Sequence, residues 1–201
     1  SGLEMVALGA VAAYGALGTI EEVFGKVQAA AQFAYDTLKE GAALADARED
    51  FEGLAASIGT TADALEGRLG EAAAGLKTDA ELVGQASELM ALGLGLTEDE
   101  IVTLTGLAAE LDWNWKTLVD TLNTGSSRGL KELGLNISEV KARAEELEAQ
   151  GIATNQAFQW SIIEAGEEKI GKVGKKSEES AGQIQILEKA VENAQNEFAR
   201  G

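Results

Sequence analysis

The sequence predicts an all-α protein with an amino-terminal coiled-coil rod, a compact multi-helix middle region and a carboxyl-terminal amphipathic helix. Three observations carry that expectation. The 201 residues include 24 Gly and no Pro, so helices run unkinked and end at glycines. Residues 3–38 hold an unbroken heptad pattern, and two capping boxes open helices further on. No stretch alternates apolar and polar residues with β-branched enrichment for long enough to argue a sheet.

The rod occupies residues 1–47. Counting sevens from Leu3 puts Leu3, Ala10, Leu17, Phe24, Ala31 and Leu38 in one column and Val6, Ala13, Ile20, Val27 and Ala34 in the other. Every a and d position is therefore apolar over five heptads, the pattern of a helix that buries one seam against partner helices. Many of those residues are small, so partners can approach closely, and a helix from Leu3 to Leu38 would run about 54 Å. Residues 5–20 carry no charge, which raises a membrane reading. Sixteen residues span only about 24 Å against a hydrocarbon core of about 30 Å, and Glu4 and Glu21-Glu22 bound the run. A buried oligomer core fits this length better; entry into a bilayer in an alternative state stays open. Glu4 also replaces the basic leading region of a secretory signal.

The middle region, residues 48–176, reads as short helices punctuated by glycine. Phe51, Leu54, Ala55 and Ile58 share a face over 48–58, Gly59 ends that helix, and Thr60 or Thr61 caps the next, which carries Leu65, Leu69 and Ala72 and stops near Gly75. Thr78-Asp79-Ala80-Glu81 and Thr97-Glu98-Asp99-Glu100 are capping boxes, in which the Thr oxygen takes a free amide and the Glu reaches back. Further helices are expected over 79–92, 98–111, 115–123, 127–133, 138–149 and 154–173, with breaks at Gly93, Gly125, Gly134, Gly151 and Gly174. Residues 177–201 then form a carboxyl-terminal coiled-coil helix, expected over 178–200, whose Ile184, Leu187, Val191, Ala194 and Phe198 repeat the 3-4 spacing. Together with the rod columns, this stripe is the expected oligomer interface.

Composition removes most chemistry. Without Cys or His there is no thiolate nucleophile, Ser-His-Asp triad, Cys-His pair or imidazole metal site, and no cofactor or enzymatic activity is expected. Asp+Glu 34 against Lys+Arg 16 gives a formal charge of -18, which opposes binding to phosphate backbones. The acidity is spread, at -4, -11 and -3 over residues 1–47, 48–176 and 177–201. The one basic cluster, Lys169, Lys172, Lys175 and Lys176, reads as a solvated helix end favoured by the dipole rather than a phosphate site. Gly125-Ser126-Ser127-Arg128-Gly129 lacks the Gly-Lys-Ser/Thr ending and preceding strand of a P-loop; it reads as a helix junction with Leu130, Leu133 and Leu135 facing a core. Neighbouring acids such as Asp99/Glu100 and Glu145/Glu146 point in different directions on a helix, and Trp113, Trp115 and Trp160 read as core anchors.

From about Ala42 onward the order of motifs resembles the tape measure proteins of tailed bacteriophages. The matching text is Ala-Leu-Ala-Asp-Ala-Arg-Glu-Asp-Phe-Glu-Gly-Leu-Ala at 43–55, Ile58-Gly59-Thr60-Thr61, and Asp79 to Gly95 with Glu88-Leu89-Met90-Ala91-Leu92-Gly93. It continues with Gly125-Ser126-Ser127-Arg128, Leu133-Gly134-Leu135 and Gln156-Ala157-Phe158, covering roughly 155 residues; each motif alone is unspecific, and their succession carries the likeness. The resemblance implies a virion component that fills the tail tube lumen or tip, sets tube length during assembly in the host cytoplasm and leaves with the DNA at ejection, sometimes entering the host envelope. Its implied partners are tail tube and tail-tip proteins, the host membrane on ejection, and further copies of itself in a parallel homo-oligomer, a trimer; no specific nucleic-acid binding is expected. One helix of 201 residues would span only about 300 Å, so the chain is expected to be a segment of a longer polypeptide. Two alternatives remain at this stage: a membrane-active helix that opens a DNA passage, and a cellular coiled-coil adaptor.

Overall fold

A computed structural model describes residues 50–200, with side chains described through Asn196; the rod columns from Leu3 to Leu38 lie outside the described residues. Every element among them is helical, and none is a strand. Helix α1 covers 50–57, α2 Ala62–Ala72, α3 Asp79–Ala91, α4 Glu98–Glu110, α5 Trp115–Thr124, α6 Ser127–Glu132, α7 Ile137–Ala149 and α8 Thr154–Val173. A short 3-10 turn at Lys176–Glu178 leads into α9, Ser180–Arg200.

Local chemistry explains most boundaries. At α3 the Thr78 amide donates to Glu81 Oε2 at 2.8 Å while the Glu81 amide donates to Thr78 Oγ1 at 3.2 Å; Thr97 and Glu100 make the same exchange at α4, at 2.6 and 3.3 Å. Both boxes thus satisfy amides that a helix start leaves without intrahelical partners. Thr61, Asn114, Ser126 and Asn136 cap α2, α5, α6 and α7 with their side chains. Gly93, Gly125, Gly134, Gly151 and Gly174 all have positive φ, as the expected breaks require, and so does Gly75 in the α2–α3 turn.

Helix α4 is the hub. Its residues Ile101, Val102 and Leu104 through Ala109 are buried, and it packs against α2, α3 and α8, while α7 and α8 pair as a hairpin. Two glycines permit the crossings: a Cβ on Gly106 would lie 2.9 Å from the Ala72 carbonyl oxygen of α2. One on Gly166 of α8 would lie 2.8 Å from Leu107 Cδ1 and 2.9 Å from the Trp113 ring. Around that hub Phe51, Leu65, Leu69, Leu82, Leu89, Leu118, Leu130 and Ile162 form one continuous core, each side chain contributing about 1.5–3 kcal/mol by leaving water. The described residues form a compact multi-helix body.

Candidate functional site

Several of the residues that the sequence singled out for chemistry take part in helix pairing, capping or packing. Asp99 and Glu98 receive the two Arg68 guanidinium nitrogens at 2.6 Å each, tying α4 to α2. Glu100 completes its capping box and also accepts from the Trp160 indole of α8. Glu146 pairs with Arg143, whose guanidinium also grips Glu164 at 2.5 Å and lowers that carboxyl below its ordinary value. Trp113 is buried, and Trp115 is half-buried with its indole donating to Glu88 at 2.7 Å. At Gly125-Ser126-Ser127-Arg128-Gly129, Gly125 takes the left-handed C-cap and Ser126 Oγ accepts from the Gly129 amide. Leu130, Leu133 and Leu135 behind it are buried, as expected of a helix junction.

The lysine cluster is dispersed among tasks. Lys169 Nζ donates to the Leu133 and Gly134 carbonyls at the end of α6, at 2.8 and 3.3 Å. Lys172 pairs with Glu168 and Lys176 with Asp112. A cation on helix-end carbonyls is favoured by the macrodipole as well as by hydrogen bonding. Among the described residues, no group of three or more acids is arranged to hold a metal ion, and no helix is long and apolar enough to cross a membrane.

The arrangement with the most distinctive geometry is the seat of α9. Gln185 Nε2 donates to the Leu76 carbonyl at 2.8 Å. Asn193 and Asp79 form a reciprocal pair: the Asp79 amide donates to Asn193 Oδ1 at 3.1 Å, and Asn193 Nδ2 donates to Asp79 Oδ1 at 3.2 Å. Lys189 lies 3.0 Å from Glu81 Oε2, inside the α3 capping box, and 3.2 Å from Glu192. Burial works to raise the Glu81 carboxyl, but the Thr78 amide and the Lys189 ammonium outweigh it and hold the group below its ordinary value. Burial likewise opposes the Lys189 charge, and Glu81 with Glu192 overcomes it, leaving that pKa raised. Ile186 completes the seat against Gly75. At the near end of α9, Glu110 of α4 accepts from the Ser177 amide at 2.9 Å and the Ser177 hydroxyl at 2.7 Å, anchoring the 3-10 turn in a buried position.

At 100° per residue, Gln185, Ile186, Lys189 and Asn193 share one side of α9, while Ile184, Leu187, Val191 and Ala194 share the opposite side. The expected interface stripe is therefore turned away from the seat, and its four described residues are half-buried; the Phe198 side chain lies outside the described residues. Sequence reading found the stripe and missed the seat. No local signal marks Gln185, Lys189 or Asn193, because their partners lie about a hundred residues away in the α2–α3 turn and the start of α3. No family model, curated protein or solved structure matches the chain.

Proposed function

We propose that the chain is a structural segment of a phage tape measure protein, working in the tail tube lumen or at its tip in length determination, tail assembly and genome ejection. The observation that supports this reading is the succession of motifs from Ala42 to Phe158 in the sequence. An acidic helical surface supports it, since a charge of -18 shares a narrow lumen with DNA without holding it. The engagement of Glu98, Asp99, Glu100, Glu110 and Glu164 in helix-to-helix contacts supports a mechanical role for these acids.

In this reading copies associate as a parallel trimer through the apolar columns of residues 3–38. Sedimentation equilibrium of the 201-residue chain tests it: a trimer that Leu17→Asp with Ile20→Asp converts to monomer is expected, and a monomeric wild-type chain would overturn it. The uncharged run at residues 5–20 favours a second reading, insertion of this segment into the host envelope at ejection. Leakage of anionic liposomes by the full chain, abolished by Leu17→Asp, would support it; no leakage at any lipid composition would remove it.

A further inference from the structure

We propose that the α2–α3 turn is a strained receptor for α9, held left-handed only while α9 is seated, so that seat and turn open together as one latch. The proposal goes beyond the tail reading and does not depend on it. Its starting point is where the backbone is strained. Among the described residues only Ala74, at φ 49, and Asp112, at φ 53, take positive φ without being glycine. Both stand where the body holds the arm. Ala74 precedes Gly75 and Leu76, which meet Ile186 and Gln185 of α9. Asp112 Oδ1 accepts from Lys176 Nζ at 2.8 Å, in the 3-10 turn at the root of α9. A left-handed residue brings its Cβ close to the following carbonyl oxygen, a cost that aspartate offsets through local hydrogen bonding and alanine does not. The breaks at Gly125 and Gly134 avoid that cost by using glycine. Ala74 is therefore the residue at which strain is stored.

A clamp on both sides keeps Ala74 in that conformation. On the α2 side, Ala73 is fully buried with its amide donating to the Leu69 carbonyl at 2.9 Å, and the Ala74 amide donates to the Glu71 carbonyl at 3.1 Å. On the α3 side, Leu76 is fully buried, its amide donates to the Ala73 carbonyl at 2.9 Å, and its carbonyl accepts from Gln185 Nε2 at 2.8 Å. Gly75, at φ 76, lies so near α9 that a Cβ there would sit 3.2 Å from Ile186 Cγ2. The restraints on Gly75 and on the Leu76 carbonyl are supplied by α9. Beyond them, Asn193 holds the Asp79 amide and Lys189 the Glu81 carboxylate. When α9 leaves, the clamp on the α3 side loosens and Ala74 relaxes out of the left-handed region. The relaxed turn carries the Leu76 carbonyl away from the place where Gln185 meets it. Seat and turn thus have two joint arrangements rather than a continuum, and α9 reseats only as the turn is wound back.

Hydrogen exchange of the full wild-type chain, resolved residue by residue with NMR, tests the coupling without a variant. The Ala74 and Leu76 amides should open with the same free energy as those of α9, while the Leu69 and Leu89 amides keep the protection of α4. Turn amides as protected as α4 would overturn the proposal. Substitution tests its sign. Ala74→Gly removes strain from the closed latch, and that relief exceeds the freedom glycine gives the open turn. Exchange of α9 amides is therefore expected to slow at least about threefold in Ala74→Gly, with α4 unchanged. Equal or faster exchange of α9 in that variant would overturn the proposal too.

Discussion

Helices α4 and α9 are both long enough to stand out in the sequence, and the body holds them by opposite means. Helix α4 is buried from Glu100 to Glu110, Thr103 excepted, among α2, α3 and α8, with glycine crossings at Gly106 and Gly166. Helix α9 is seated by three polar side chains and Ile186, on the Leu76 carbonyl, the Asp79 amide and the Glu81 carboxylate of the α3 capping box. A buried leucine contributes about 1.5–3 kcal/mol, an intramolecular hydrogen bond about 0.5–1.5 kcal/mol net. The comparison leads to the expectation that the body unfolds as one unit while α9, as an arm, opens separately.

The largest effect should come from the hub. Leu104 is fully buried, and Leu104→Ala is expected to cost about 2–5 kcal/mol of unfolding free energy, read from urea melts followed by circular dichroism. A cost within error of zero would mean that α4 is not the centre of the core. On the same helix, Thr105 is fully buried with its hydroxyl unpartnered among the described residues, so Thr105→Val should stabilise the body by about 1 kcal/mol. Destabilisation in the same melts would show that the hydroxyl has a partner.

Effects on the arm should be smaller globally and larger locally. Lys189→Met removes the ammonium from the α3 box and is expected to lower global stability by under about 1 kcal/mol, because the pair is partly exposed. Exchange of α9 amides should nevertheless accelerate severalfold while α4 stays protected, as read by mass spectrometry. Acid should act at the same place. The folded Glu81 carboxyl titrates below its ordinary 4.5, so the stabilisation it gives is complete above that value and is lost as pH falls through the depressed one. Loosening of α9 below about pH 4.5, ahead of body unfolding, is the expected outcome; Glu81→Gln should flatten that dependence in the same exchange experiment.

What the sequence made legible was local. The Thr78–Glu81 and Thr97–Glu100 boxes, the positive-φ breaks at Gly125 and Gly151, and the core faces of Leu65 with Leu69 and Leu130 with Leu133 each depend on residues a few positions apart. The Arg68–Glu98, Trp160–Glu100 and Glu110–Ser177 contacts join residues thirty to sixty-seven apart and leave no pattern in the text. Gly106 and Gly166 lower helix propensity, and nothing local in the text accounts for them; the close approach of Ala72 and Trp113 does. The stripe on α9 was legible because hydropathy is periodic; its polar seat was not, since Gln, Lys and Asn on a helix ordinarily face water.

Native-state hydrogen exchange of the full chain across a series of sub-denaturing urea concentrations most directly tests the division between body and arm. Amides of α4 should exchange only through global unfolding, while those of α9 should open separately, about a hundredfold faster and with little dependence on urea. A single opening transition shared by α4 and α9, with the same free energy and the same urea dependence, would contradict it.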